Sequence, residues 1–456
     1  MDAIARPELQ ATRSPWIGFS AVAVGTVMAT LDSSIVNVAL PTIGHELGAS
    51  IAAVQWIVAG YLLTISAVLL TAGRLGDLLG LRNVFVGGLL LFTAGSALCG
   101  LAPGLPSLVA ARVVQGMGAS ATMAIGPAAL TALFPRERRG RALGANASAV
   151  ALGLTLGPPL GGFIVQHLSW RWLFLVNLPI GVAGAAWAFA TLPADAPARG
   201  SRLDLPGAAW IAAAVGALVA AIQAAPRSPP TAAALLASAV VATVLLVRRE
   251  RRAPSPLVDA SLFSRRLFSL GLASGLLSYA ALFSSTLLTP FFLARVKGLE
   301  PRALGLALIA VPLALSISSP ISGRLSDRVG SRGLCVAGMV ILACGLGGLA
   351  LARADDSLLS IVARLALCGL GMGLFQPPNN NAVMGALPRE RLGSGGGLLA
   401  QARNFGMVLG IASSEALFHA FGGAAAGGAG FLRGYRVALF SGATIAIAAS
   451  IVSERR

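Results

Sequence analysis

Long apolar runs, separated by short polar segments, recur from one end of the chain to the other. Most runs are about 20 residues long or longer, which is the length at which an α-helix crosses the hydrocarbon core of a bilayer. Backbone polar groups in lipid must be paired within the protein, and a helix pairs them within one segment. The pattern therefore predicts an all-α membrane protein.

The apolar runs predict fourteen membrane-spanning helices, and an even number places both termini on one face. Lys and Arg concentrate in the segments on that face, which indicates that both termini are cytoplasmic in a multi-pass protein of the bacterial cytoplasmic membrane. The first run is too long for a signal peptide, so we expect it to remain uncleaved. The predicted spans are Trp16–Pro41, Val54–Ala72, Val84–Ala102, Leu108–Phe134, Ala142–His167, Trp172–Leu192, Leu205–Ala225, Thr231–Val247, Leu267–Leu293, Ala303–Ile321, Gly333–Ala352, Leu358–Leu387, Leu392–Phe421 and Arg436–Val452.

The chain contains an internal repeat with a shift of about 250 residues. Gly73–Arg82 recurs as Gly323–Arg332, and Pro135–Arg138 recurs as Pro388–Arg391. Arg112 with its following glycines also recurs at Arg364. Related halves are typical of secondary transporters. We expect a six-helix bundle at 1–203, a two-helix hairpin with a cytoplasmic loop at 204–265, and a second six-helix bundle at 266–456.

The composition excludes several other classes of protein. Of the 456 residues, 56% are hydrophobic and 11% are charged, and the mean hydropathy is +0.81, whereas soluble domains carry about 25% charged residues. The net charge of +17 comes from short segments between spans, so we expect membrane lipids and not nucleic acid as a partner. The spacing of cysteines and histidines predicts no metal site, and no phosphate-binding Gly-rich motif occurs. We expect a non-enzymatic protein without cofactors.

Charged side chains inside the spans are the first candidate functional residues, because such groups are costly in lipid. Asp32 and Glu415 are the two intramembrane acids, and His419 follows Glu415 by one helical turn. Arg112 lies at a depth at which Asp32 is a possible partner. Each has a structural alternative: a protonated Asp32 bonded to helices, an Arg112 that only holds its span, and a Glu415 that is simply hydrated.

Polar residues within spans are candidates for a substrate cavity. A Pro-interrupted polar segment falls in the twelfth predicted span, for which a kinked helix that satisfies neighbouring backbone is an equal alternative. Tyr279, Phe283 and Phe375 could line an apolar cavity, although packing is favoured for each. The candidate cavity residues are Asn37, Gln115, Gln376, Asn379, Asn380, Arg403 and Asn404.

Several motifs together resemble the major facilitator superfamily and, within it, the fourteen-span drug:proton antiporters of the EmrB/QacA type. The resemblance covers nearly the whole chain. The motifs are Leu31–Pro41, the two copies Gly73–Arg82 and Gly323–Arg332, Arg112–Gly118, Gly153–Gly162 and Trp170–Gly181.

The resemblance implies roles for these motifs. Asp32, Arg112, Glu415 and His419 are expected to couple protons. The repeated loop is expected to act as a conformational latch through Gly73, Asp77, Arg82, Gly323, Asp327 and Arg328. Leu78 and Leu81 stand where the family usually has basic residues, so part of the first latch differs. Gly153, Gly157, Pro158, Gly161 and Gly162 match the antiporter motif.

The sequence thus predicts a proton-coupled multidrug efflux antiporter that works by alternating access, and we expect it to be monomeric. Few acids lie in the spans, which favours neutral or monocationic lipophilic substrates. Export of an endogenous metabolite or lipid on the same scaffold is an alternative, and a membrane sensor without transport is another.

Overall fold

The computed structural model describes residues 14–194, 205–225, 228–250, 260–387, 392–422 and 428–456. Throughout these ranges the chain is built from α-helices, with a short 3₁₀ helix at Ala260–Ser264. The α-helices are α1 Pro15–Glu46, α2 Ile51–Leu79, α3 Leu81–Gly100, α4 Leu105–Leu133, α5 Arg136–His167, α6 Trp172–Leu175, α7 Asn177–Thr191, α8 Leu205–Ala224, α9 Pro229–Glu250, α10 Arg266–Arg295, α11 Pro301–Leu308, α12 Ala310–Val329, α13 Ser331–Ala350, α14 Leu358–Gly385, α15 Leu392–Ala420 and α16 Gly428–Glu454.

Among the described residues, twelve helical spans are long and apolar enough to cross a membrane. The predicted count of fourteen is therefore not supported by length and composition alone. The two helices outside this count are α8, in which the apolar stretch described is Ala209–Ile222, and α15, which contains Arg403 and Glu415. Polar and charged residues lower the hydropathy of α15, although it packs inside the molecule against α2, α10 and α16.

Two predicted spans are broken helices, which the sequence analysis did not foresee. The predicted span Trp172–Leu192 is divided into α6 and α7 at Val176, and the predicted span Ala303–Ile321 is divided into α11 and α12 at Ile309. The first break places Asn177 at the start of α7 with its side chain fully buried. Conversely, Pro41 lies inside α1, which continues to Glu46, so the predicted end of this first span at Pro41 is too early.

The internal repeat is visible as equivalent helix contacts in the two halves. In the first half α3 packs on α4, where a Cβ added to Gly118 would lie 2.7 Å from the carbonyl oxygen of Gly88. In the second half α13 packs on α14, where a Cβ added to Gly371 would lie 2.6 Å from the carbonyl oxygen of Gly338. Only glycine allows backbones to approach this closely, so the repeat preserves the same close contact.

The repeated loops also have the same backbone geometry. Gly80 connects α2 to α3 with φ of 88°, and Gly330 connects α12 to α13 with φ of 82°. Positive φ at these sharp turns strongly favours glycine. Of the predicted latch residues, Arg82 stacks on the ring of Phe189 at 4.7 Å, and the side chains of Asp77 and Asp327 lie outside the described part of the structure.

Among the described helices, the first and second halves meet mainly at three places. α5 packs against α11, α2 packs against α15, and α1 packs against α10. The inserted helix α8 lies along one of these seams, because it contacts both α2 and α15. These contacts fit two bundles joined by a hairpin. The proposed boundary at residue 203 lies outside the described residues, and the domain limits stay a prediction.

Candidate functional site

Asp32 and Arg112 form a buried ion pair between α1 and α4. Nη1 of Arg112 lies 2.6 Å from Oδ2 of Asp32, and the two side chains are 1% and 0% exposed, respectively. The sequence suggested this pairing from depth alone, and the structure places the two groups in contact. A buried charge of either sign is strongly unfavourable without its partner, so each side chain depends on the other.

Arg112 is also fixed by groups on α2 and α6. Its Nε donates to the carbonyl oxygen of Ile57 at 3.1 Å. The guanidinium stacks over the ring of Tyr61, 4.0 Å from its centroid, and lies 5.7 Å from the centroid of Phe174. Cation–π contacts of this kind stabilise a desolvated guanidinium. The charged pair therefore touches four helices, so a change in its charge acts on all of them.

Two amides complete the shell around Asp32. Nε2 of Gln115 donates to Oδ1 of Asp32 at 2.9 Å, and Nδ2 of Asn177 donates to the same oxygen at 3.1 Å. Both amides also donate to the hydroxyl of Ser96, at 2.7 and 3.4 Å. Oε1 of Gln115 in turn accepts from Arg112 at 2.5 Å. Both oxygens of Asp32 therefore accept hydrogen bonds, Oδ2 from Arg112 and Oδ1 from Gln115 and Asn177.

Sequence reasoning assigned Gln115 to the substrate cavity and did not single out Asn177. The structure places both in the enclosed Asp32 cluster, and neither has exposed surface. Asn177 lies within the motif Trp170–Gly181, so its position could have been noticed. Its contact with Asp32 depends on the break between α6 and α7, for which the apolar pattern gives no signal.

Glu415, the second intramembrane acid, is buried in α15 at 1% exposure. His419 is half-buried one turn later on the same helix. Asp32 and Glu415 are therefore both shielded from bulk solvent and lipid in this structure, as a proton-carrying role requires. Glu415 and His419 lie on α15 in the second half, whereas the Asp32 cluster is built from helices of the first half.

A cavity of about 310 Å³ lies within the second half, between α10, α14 and α15. It is lined by Gly275, Tyr279, Phe375, Gln376, Asn379, Asn380, Met384, Gly396, Leu399, Ala400, Ala402 and Arg403. Four of the seven residues that the sequence assigned to a cavity thus share one. Tyr279 and Phe375, for which the sequence favoured packing, also line it.

Polar contacts organise the wall of this cavity. Nε2 of Gln376 donates to the hydroxyl of Tyr279 at 2.5 Å, and the hydroxyl of Ser274 donates to Oδ1 of Asn379 at 3.5 Å. Pro377 and Pro378 lie inside α14 without ending it. The polar segment is therefore both part of a continuous helix and part of a cavity wall, so the two alternatives for it are not exclusive.

The other predicted cavity residues do not line this cavity. Nδ2 of Asn37 donates to the carbonyl oxygen of Ser33 within α1 at 3.3 Å. Asn404 is buried at 2% exposure beside Arg403 in sequence. Their assignment to the cavity walls does not fit this conformation.

The glycines of the predicted antiporter motif make close contacts on two sides of α5. On one side, a Cβ at Gly157 would collide with the hydroxyl of Ser34, and one at Gly161 would lie 2.8 Å from the carbonyl oxygen of Ile35. On the other side, a Cβ at Gly162 would collide with the carbonyl oxygen of Pro301. The motif thus joins α5 both to α1 and to α11 of the other half.

The second half contains an equivalent stripe of glycines, which the sequence analysis did not identify. A Cβ at Gly406 would collide with the carbonyl oxygen of Leu276, and one at Gly410 would collide with that of Ala280. These glycines bring α15 against α10, as the α5 glycines bring α5 against α1. Their four-residue spacing was the available signal.

The family model described as Major Facilitator Superfamily matches residues 22–411 of the chain. Three relatives cover most of both sequences. The riboflavin transporter RibZ of Clostridioides difficile (strain 630) is 32% identical over 89% of this chain and 89% of its own length. The multidrug resistance protein Stp of Mycobacterium tuberculosis (strain ATCC 25618 / H37Rv) is 35% identical over 88% of this chain and 75% of its own. The methylenomycin A resistance protein of Streptomyces coelicolor (strain ATCC BAA-471 / A3(2) / M145) is 32% identical over 88% and 86%.

Proposed function

Because the chain belongs to the Major Facilitator Superfamily, we propose that it is a proton-coupled exporter of small lipophilic compounds. Relatives whose names describe multidrug and antibiotic resistance support export as the direction of transport. In this proposal the protein is a monomeric, non-enzymatic antiporter of the bacterial cytoplasmic membrane. α8 and α15 also cross the bilayer, which gives fourteen spans with both termini in the cytoplasm.

The observation that carries the coupling proposal is the buried carboxylate of Asp32. A proton that binds to one of its oxygens removes the negative charge and with it the ion pair to Arg112. The guanidinium then loses its counter-charge, and the contacts among α1, α2, α4 and α7 rearrange. Release of the proton restores the pair. Coupling requires that the two access states hold the proton and the substrate with different affinities.

Glu415 is a second proton carrier in the proposal, because it is the other buried acid within the described helices. Its helix, α15, also contributes Arg403 to the cavity and contacts α2. A charge change on α15 therefore acts on both the substrate cavity and a seam between the halves. The repeated loops at Gly80 and Gly330 are proposed to latch one access state, and the α5 glycines to form a pivot.

Transport by purified protein in proteoliposomes tests the proposal. An imposed pH gradient should drive accumulation of a lipophilic fluorescent dye, with cationic, neutral and acidic dyes tested in parallel, and collapse of the gradient with an ionophore should abolish it. Asp32→Asn should lose the gradient-driven part, whereas Asp356→Asn, which removes an acid outside the membrane helices, should retain it. Gradient-driven transport that is normal in both Asp32→Asn and Glu415→Gln would overturn the proton assignment.

A metabolite exporter is the second candidate, because the riboflavin transporter RibZ matches this chain along 89% of both sequences. The same proteoliposomes distinguish the two. Riboflavin movement without movement of the dyes would favour the metabolite, and the reverse would favour drugs. An absence of gradient-driven movement for every compound would favour a sensor without transport.

A further inference from the structure

The second-half cavity has an unusual charge for a site expected to hold neutral or cationic compounds. Arg403 is the charged residue among its lining residues, and the lining residues in the described part of the chain include no Asp or Glu. A cation placed in the cavity would meet a guanidinium at close range, with no carboxylate among these described walls. In a medium of low dielectric constant such repulsion is large.

The guanidinium of Arg403 is incompletely satisfied within the described part of the protein. Its Nε is buried and makes no hydrogen bond, and none of the ion pairs described for this structure includes it. The hydroxyl of Tyr279 is the hydrogen-bonding neighbour of the guanidinium on α10, and the same hydroxyl accepts a hydrogen bond from Gln376. Arg403 is half-buried, and the ion pairs among the described residues give it no carboxylate partner, so an anionic ligand would supply a counter-charge.

The remaining walls fit the rest of a small acid. Asn379 and Asn380 add amide donors on the α14 side, whereas Phe375, Met384 and Leu399 supply apolar surface. The volume of about 310 Å³ lies at the lower end of the roughly 300–1,000 Å³ typical of ligand sites. The site therefore has room for a compact body with one polar end.

We propose that this cavity binds compact lipophilic acids, with the anionic group of the ligand paired to Arg403 and its apolar body against Phe375, Met384 and Leu399. The pairing is bidentate where the anion is a carboxylate, since two guanidinium N–H groups match its two oxygens. This inference rests on the proposed transport function for its biological meaning, and it replaces the expectation of neutral or monocationic substrates.

Binding of matched ligand pairs to the full chain in detergent tests the inference. The probes are 2-naphthoate and quinoline-3-carboxylate, each compared with its neutral carboxamide, together with the cation tetraphenylphosphonium. Wild type should bind each carboxylate at least about tenfold more tightly than its amide, the expected effect of one charge-assisted bidentate contact. Arg403→Gln should abolish that preference while it leaves amide affinity within about twofold, and Arg403→Lys should keep part of it.

The control is Arg436→Gln, which removes an equal charge from an exposed position on α16 outside the cavity. It should keep the wild-type preference for carboxylates. Thermal melting of each variant checks folding, and the comparison within wild type stands even if Arg403→Gln does not fold. Equal affinity for carboxylate and amide in wild type, no measurable binding of the carboxylates, or an unchanged preference in Arg403→Gln would overturn the inference.

The same preparations separate this inference from the proposed function. Tight carboxylate binding that depends on Arg403, without gradient-driven transport, would support acids as the ligands of the cavity and would reject proton-coupled export. Gradient-driven transport of tetraphenylphosphonium that is unchanged in Arg403→Gln, with no preference for acids, would keep export and reject the ligand class.

Discussion

Arg112 and Arg364 occupy matching places in the internal repeat, and each makes an ion pair of 2.6 Å in different surroundings. Arg112 pairs with Asp32 inside the membrane helices at 0–1% exposure, whereas Arg364 pairs with Asp356 in the loop before α14, where the side chains are 24% and 21% exposed. The same residue type at the same repeat position therefore serves a buried cluster in one half and a surface contact in the other. The Arg364 hydrogen bond also holds the pKa of the Asp356 carboxyl below its usual value.

This difference predicts unequal effects of two similar substitutions. Asp32→Asn leaves the Arg112 guanidinium buried without a counter-charge and should lower the free energy of unfolding by about 3–5 kcal/mol. Asp356→Asn should have only a small effect, because water screens the exposed pair. Thermal unfolding in one detergent measures both variants. Equal losses would show that burial does not control the strength of these pairs.

Asn177 should be needed for transport because it donates to Asp32 across the break between α6 and α7. Asn177→Ala removes the bond to Asp32 and that to Ser96, and we expect a clear loss of gradient-driven transport with a stability loss of about 1–3 kcal/mol. Asn83→Ala is the matched control, since its amide only donates to the carbonyl of Leu79 near the surface. Normal transport in Asn177→Ala would show that Asp32 functions without the hydrogen bond from Asn177, contrary to this prediction.

The small-residue stripe of α5 predicts a steric effect at Gly157. A Cβ at this position would collide with Ser34 of α1, whereas a Cβ at Gly347 of α13 would have open space around it. Gly157→Ala should therefore destabilise the protein by about 1–3 kcal/mol through overpacking. Gly347→Ala should be neutral or slightly stabilising, since alanine is the better helix former. Equal decreases in the unfolding midpoints of the two variants would contradict this account.

The contact between α5 and α11 predicts a shift between access states. Gly162 and Gly305 pack against backbone of the opposite half, at Pro301 and Pro158 respectively. A side chain at either glycine should separate these helix ends and populate conformations that are open there. Spin labels at the exposed positions Leu168 and Leu306, after replacement of the exposed Cys344, would report the distance by double electron–electron resonance.

Gly162→Ala should broaden this distance distribution towards longer values. Gly347→Ala again serves as the control and should leave it unchanged. An unaltered distribution in Gly162→Ala would show that the glycine contact does not hold the two halves together at this end.

Part of the fold and of the candidate site could be predicted from the amino-acid sequence. Long apolar runs specify helices because lipid offers no partners to the backbone, and the repeated Gly73–Arg82 segment identified two related halves. The acids Asp32 and Glu415 could be selected as candidates because a carboxylate in an apolar run is costly. Both lie buried in the structure, and Asp32 contacts Arg112 as their depths suggested.

The tertiary structure decided the rest. Helix breaks at Val176 and Ile309 depend on packing between helices, which the hydropathy of a single segment does not encode. Gln115 and Asn177 reach Asp32 only because α4 and α7 both pack beside that carboxylate. Likewise, Arg403 lines one cavity with Gln376 and Tyr279, although more than 120 residues separate Tyr279 from Arg403 in the chain. The sequence determined which side chains are energetically unfavourable to bury, because this free-energy cost depends on the chemistry of each side chain. Only the folded structure determined which of these side chains pair with one another and so offset that cost.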